Sequence, residues 1–339
     1  MSKHLLAAAC LAVVLPAAAL PTTAQAEQHK IGLSVATLAN PFFQGMTKGV
    51  VAGTAKYPDL ELLNTSANGD ANTQATQVLD LINQGVSALI LNPISADAIV
   101  PVVKQANKKG IPVFTLDRGA ACGECQVNFL ETDNVALGKE GADFIAARMK
   151  ERYGSIKGNV VDLEGLRGTT AGDAREKGFS DEFDVLAKAN PELKLVARQA
   201  ADFDADKGFN IMTQLLAANS QIDAVFNGND DNAVGAMRAI KQANRFKPIG
   251  DQGHTVVVGI DGTEQALTAI RNGQMDATLS QNPLTMAGQS VAYVEQYLHG
   301  DKSMPQHQYW PHLLLTKDNV DGAEAKAYGL WGDEVTKGQ

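Results

Sequence analysis

Polar and aromatic residues recur in this chain directly behind short apolar runs. Asn40-Pro41-Phe42-Phe43 closes the run Ile31 to Ala36, Asn92-Pro93 the run Ala88 to Leu91, and Asp117-Arg118 the run Pro112 to Leu116. The segment Arg167 to Arg175, with Asp173 inside it, follows Asn159 to Leu163, and Asp202-Phe203-Asp204 follows Leu193 to Ala200. Asn227 to Asp230, which contains Asn229, then Asp261-Gly262 and Gln281-Asn282 stand in the same relation to later runs. A carboxylate accepts from two neighbouring hydroxyls, a guanidinium donates in a fixed fork, and a carboxamide does both. Aromatic rings cover apolar C–H faces. Together these groups suit a neutral polyhydroxyl ligand. Each group alone has a blander reading, because Asn and Asp are favoured helix caps and Pro41 suits a first helical turn. Recurrence at eight such places is harder to assign to capping. Neither a glycine-rich phosphate cradle nor a lysine cluster for an anionic ligand is present. Asp202, Asp204 and Asp206 have the spacing that opens a calcium loop, but Lys207 stands where that loop needs glycine and Thr213 where it needs glutamate. No metal is expected there.

The apolar runs read as strands, and the stretches between them read as helices. The first helix is expected over Gly45 to Lys56, the third over Ala96 to Lys108, and later ones over Asn134 to Tyr153, Thr170 to Ala189, Asp204 to Ala218 and Pro283 to Leu298. Regular alternation of this kind means parallel sheets covered by helices on both faces, whose carboxyl edge is where ligands bind. The series runs through twice. The expected fold is α/β, with two similar doubly wound parallel-sheet lobes. No Pro- or Ser-rich linker separates the rounds. Strand extensions near Glu131-Thr132-Asp133, Gln281-Asn282 and Trp310-Pro311-His312 are expected to join the lobes as a three-crossing hinge. That assigns residues 27–131 plus 282–311 to an N-terminal lobe and 132–281 plus 312–339 to a C-terminal lobe.

The 339 residues are 45% hydrophobic and 20% charged, enough for two cores. A net charge of −9 without a basic block argues against nucleic acid as a partner. Residues 1–26 read as a secretory signal: Lys3 and His4, the apolar run Leu5 to Leu15, then the small-x-small site Ala24-Gln25-Ala26. That run is too short to span a membrane, and Cys10 inside it does not read as a lipid-attachment site. A soluble periplasmic product beginning at Glu27 is expected. Cys122 and Cys125 remain in it, and an oxidising compartment favours a disulfide between them over a redox pair. A zinc site would need a second Cys/His cluster, which is lacking.

In Thr37 to Phe43, Leu91-Asn92-Pro93, Thr115 to Arg118, Ala201 to Asp204, Asn229-Asp230 and Gly259 to Thr263, the chain resembles the periplasmic ribose-binding proteins and their sugar-binding relatives. The resemblance runs in order through nearly the whole mature chain. It implies a two-lobe solute-binding protein that closes on a monosaccharide and delivers it to the permease of an ABC importer, with no cofactor. The family's pocket carries over onto Asn40, Phe42, Phe43, Asn92, Asp117, Arg118, Phe203, Asn229, Asp261 and Gln281. Two positions depart from the pattern: Asp173 stands in place of a pocket arginine, with Arg175 close behind, and Ile260 in place of a phenylalanine. The tail after Thr316 is also longer. These departures lead to the expectation of a hexose, cyclitol or alditol rather than ribose alone. A monomer is expected. The alternatives are a sensing protein presented to a chemoreceptor or sensor kinase and a secreted sugar-active enzyme using Asp117 and Asp261 as acid and base. The enzyme reading lacks a Gly-x-Ser-x-Gly elbow or a metal-binding histidine pair. A repressor-type regulator would need a DNA-binding module where the signal stands.

Overall fold

The computed structural model describes residues 28–336, so the expected signal peptide lies outside the described residues. The first round comprises β1 (His29–Val35), α1 (Pro41–Thr54), β2 (Leu60–Ser66), α2 (Ala71–Asn83), β3 (Ala88–Leu91), α3 (Val100–Lys108), β4 (Val113–Leu116) and β5 (Asn128–Thr132). The second comprises α4 (Asn134–Tyr153), β6 (Gly158–Glu164), α5 (Thr170–Ala189), β7 (Leu193–Ala200), α6 (Ala205–Ala218), β8 (Ala224–Asn227), α7 (Asp230–Gln242), β9 (Val256–Asp261), α8 (Glu264–Arg271) and β10 (Ala277–Gln281). The chain then runs through α9 (Pro283–Leu298), β11 (His307–Trp310), β12 (His312–Thr316), α10 (Ala323–Tyr328) and α11 (Trp331–Thr336).

One sheet has the order β11-β5-β4-β3-β1-β2 and the other β12-β10-β9-β8-β6-β7. Both reverse direction beside their first strand, at β1/β3 and at β6/β8, and such a reversal opens a crevice at the carboxyl edge. The central strands β3 and β4 are buried at every residue, as strands covered on both faces must be. The expectation of wholly parallel sheets needs one correction: β12 pairs antiparallel with β10. The chain leaves one sheet and re-joins the other at Asp133, Asn282 and Pro311. Pro311 separates β11 from β12, so one extended run feeds both sheets in turn.

Local chemistry sets the helix starts. The Asn40 side chain accepts from Phe42 N at 2.8 Å with Pro41 in the first turn, so α1 begins earlier than expected. Helix α3 begins later than expected, because Pro101 has no N–H to give and its ring would meet the carbonyl one turn back. Helix α1 lies close against α9, since a Cβ on Gly49 would stand 2.5 Å from Leu284 O. Helices α4 and α5 approach as closely at Gly138 and Gly178. Cys122 and Cys125 are joined in a disulfide around a single turn. Among the described residues no helix is long and apolar enough to cross a membrane.

The tail keeps to the second lobe as expected as far as Leu315, Val320 and Ala325, but Trp331 and Val335 belong to the first-lobe core with Phe42, Met46 and Val50.

Candidate functional site

The carboxyl edges of the two sheets face each other across a cleft. From the first lobe, the cap and first turn of α1 bring Asn40, Phe42 and Phe43, Asn92 directly follows β3, and Asp117 and Arg118 directly follow β4. From the second, α5 brings Arg175, the β7–α6 turn Phe203, the β8–α7 junction Asn229, β9 Asp261, and β10 Gln281. Asn40, Phe42, Phe43, Asp117, Arg118, Arg175, Phe203, Asn229 and Asp261 line one inner cavity, joined by Ala171. Asn92 and Gln281 hold its carboxylates from behind.

Each carboxylate is oriented by an amide. Asn92 Nδ2 donates to Asp117 Oδ2 at 3.0 Å and to Leu116 O at 3.0 Å. Gln281 Nε2 donates to Asp261 Oδ1 at 2.8 Å. Asp117 and Asp261 both take positive φ, +64° and +133°, a conformation that non-glycine residues avoid and that clusters at functional sites. The turn after Asp261 is held by buried Asp230, whose Oδ2 accepts from Gly262 N and Thr263 N, each at 2.8 Å. Arg175 is buried on α5, donating from Nε to Asn134 Oδ1 at 2.9 Å and from Nη1 to Gly228 O at 2.8 Å. The close α4/α5 crossing at Gly138 brings Asn134 within that reach, since a Cβ there would stand 2.0 Å from Arg175 O. Phe203 has φ +60°, and its ring lies where a Cβ on residue 165 would stand, so Gly165 makes room for it.

The Arg118 guanidinium lies 4.9 Å from the Phe43 ring centroid and 5.4 Å from that of Phe203, spanning both lobes. Its Nε is buried without a hydrogen-bond partner, and so is Gln281 Oε1. Unsatisfied buried groups of this kind are costly and call for a partner. Burial pushes the Asp117 carboxyl up, against the pull of Arg118, Arg175 and Asn92. It pushes Asp261 up as well, opposed by Arg175 and reinforced by the neighbouring carboxyls of Asp230, Asp231 and Asp117. The lining of the inner cavity thus pairs two carboxyl groups with two guanidiniums.

The lobes meet around the cavity. Asn40 Nδ2 donates to Asp231 Oδ2 at 2.7 Å, Gly119 N to Thr170 Oγ1 at 3.0 Å, and Ala96 N to Gly168 O at 3.0 Å. The inner space is about 20 Å³, and a cleft of about 420 Å³ adjoins it past Asn40, Arg118, Phe203 and Asp231. Burial pushes Asp231 up to about 6, while its Asn229 partner pulls the other way. Asp231 was missed in the sequence, although it directly follows the polar strand end Asn227 to Asp230.

Two expected positions lie elsewhere. Asp173 is exposed in the first turn of α5, where it accepts from Gly168 N at 3.1 Å. One helical turn cannot present residues 173 and 175 to the same side, and Arg175 takes the inward one. Ile260 is fully buried in the second-lobe core and does not line the cavity. The expectation that the ligand shifts away from ribose loses these two positions as its grounds.

A family profile described as periplasmic binding protein domain matches residues 31–302. The ribose import binding protein RbsB of Haemophilus influenzae is 35% identical over 87% of this chain and 94% of its own length. A xylitol-binding protein of Mycolicibacterium smegmatis is 33% identical over 89% of this chain and 81% of its own. An ABC transporter solute-binding protein of Bacillus halodurans, solved with bound myo-inositol, superposes with a TM-score of 0.79 at 27% identity, covering 91% of this chain and 100% of that one.

Proposed function

Because the chain belongs to the periplasmic binding protein family, we propose that it captures a neutral monosaccharide or polyol between its lobes and hands it to the permease of an ABC importer. It is a binding protein, as its relatives are, and not an enzyme. One observation carries the reading: a buried cavity built from both lobes and lined by carboxylates, guanidiniums, amides and aromatic rings, in which Arg118 Nε has no hydrogen-bond partner. A ligand hydroxyl can serve it by accepting from the guanidinium.

The proposed ligand contacts are Asn40, Phe42, Phe43, Asp117, Arg118, Arg175, Phe203, Asn229 and Asp261, with Asn92 and Gln281 orienting the carboxylates. Arg175 supplies the guanidinium that Asp173 was thought to displace, so ribose belongs among the first ligands to test. The proposed lobes are divided at Asp133, Asn282 and Pro311, with the protein working as a monomer in the periplasm. Residues of both lobes line the cavity, so the proposed loading has the lobes part and then close on the ligand.

A thermal-shift panel of D-ribose, D-allose, xylitol and myo-inositol tests the proposal, since a ligand bound only by the native state raises Tm. At least one is expected to do so, and to be recovered chemically unchanged. A flat panel extended across neutral pentoses, hexoses and alditols would overturn the reading.

A further inference from the structure

The tail beyond β12 laces the two lobes together without entering the cavity. Tyr328 OH donates to Ser280 O at 2.7 Å, and Asn282 Nδ2 at the crossing donates to Tyr328 O and Gly329 O, both at 3.2 Å. Trp331 follows, almost fully buried. Its ring packs edge-on against Phe42 of the first lobe at 5.9 Å, and a Cβ on residue 45 would come 3.1 Å from it, so Gly45 leaves its place open. Its indole N–H crosses to the second lobe and donates to Asp261 O at 2.8 Å. Gly332 fits against the backbone of residues 262–264, where a Cβ would stand 2.5 Å from Glu264 N. Arg271 on α8 holds Asp333 through two bonds, at 3.0 and 2.7 Å, and Lys48 on α1 donates to Val335 O at 2.8 Å. Beside the indole, a crevice of about 110 Å³ remains between Pro41 and Gln44 on one side and residues 263–265 on the other. The lobes therefore meet there largely through the tail.

We propose that Trp331 is a positioning residue for ligand capture: it ties Phe42 to the backbone of Asp261 and so stabilises the closed arrangement of the lobes. This rests on the sugar-binding reading for its consequence, but not for its geometry. Phe42 and Asp261 are cavity residues on opposite lobes. A rotation that parts Asn40 from Asp231 also carries these two apart, and the indole can follow only one of them. Contacts made in one arrangement and broken in the other shift the balance toward the first. The strap thereby slows release of whatever the cavity holds.

The test compares wild type with Trp331→Phe, which keeps an aromatic ring against Phe42 but has no N–H for Asp261 O, and with a chain ending at Gly329. Two readouts are taken: the release rate of the panel sugar giving the largest thermal shift, and the interlobe distance distribution, without sugar, between spin labels on one exposed residue of each lobe. Trp331→Phe is expected to release sugar about three- to tenfold faster, the scale of one buried hydrogen bond. The shortened chain is expected to release it faster still and to shift the sugar-free distances outward. A loss of Tm with wild-type release and wild-type distances in both variants would make the tail mere packing and overturn the proposal. If no sugar binds the wild type, the functional reading fails separately. The sugar-free distances then decide: an outward shift supports the strap, and an unchanged distribution in the shortened chain overturns it.

Discussion

Asp117 concentrates the site's energetics in one side chain. Its carboxylate is buried, faces two guanidiniums and takes a hydrogen bond from Asn92. Asp117→Ala removes a hydroxyl acceptor and leaves the Asn92 amide and the Arg118 charge without it, which should weaken sugar binding by about 2–5 kcal/mol in calorimetry. Asp173→Asn makes the opposite prediction. Asp173 is exposed and bonds only the start of its own helix, so affinity should stay within about twofold of wild type, inside the scatter of surface substitutions. A large loss of affinity in Asp173→Asn would return that residue to the site. Most of the cavity was legible at this scale, because a residue that ends a parallel strand needs no long-range information to reach the carboxyl edge. Arg175 and Asp173 were harder to separate, since they lie on a helix, where the facing depends on how α5 is rotated against α4.

Helices and strands hold the site through contacts at their far ends as well. In the loop before β9, His254 is buried with Nδ1 2.8 Å from Lys247 O and Nε2 2.9 Å from Asp276 Oδ2. Both partners are acceptors, so the ring is best served carrying two protons. Burial works against that charge, as does Arg152, but the hydrogen bond and charge of Asp276 outweigh them and raise the pKa above the ordinary value. A folded-state pKa above the unfolded one gives stability that is complete below about pH 6.5 and is lost as pH rises through the folded value. Urea unfolding at pH 5.5, 7 and 8.5 should therefore show wild type exceeding His254→Gln by about 2 kcal/mol at the lowest pH, the scale of a hydrogen bond to a charged group. The gap should narrow upward, and a gap independent of pH would count against a charged ring. Element types and order were readable from the alternation of apolar runs. The start of α3 was not, because its apolar pattern continued back past Pro101.

At the scale of the whole molecule, a cavity lined from both lobes and three chain crossings between the sheets lead to the prediction of opening and closing. Small-angle scattering should show the radius of gyration falling when the best panel sugar is added to saturation, and an unchanged radius would argue for a rigid pair of lobes. The α/β class and the doubling were legible in the sequence, as was the recurrence of polar groups at strand ends that the structure brings to the cleft. All of these follow from local periodicity and from the rule that a strand's carboxyl end faces the crevice. Only the tertiary structure decided that Arg175 rather than Asp173 turns inward, that Ile260 belongs to a core, that Asp231 meets Asn40, and that Trp331 returns to the first lobe. The reason is physical. These outcomes depend on helix rotation and on contacts such as Trp331 with Phe42 and Asp261, between segments far apart in the chain, and no local pattern of apolar and polar residues encodes which distant surface a side chain will meet.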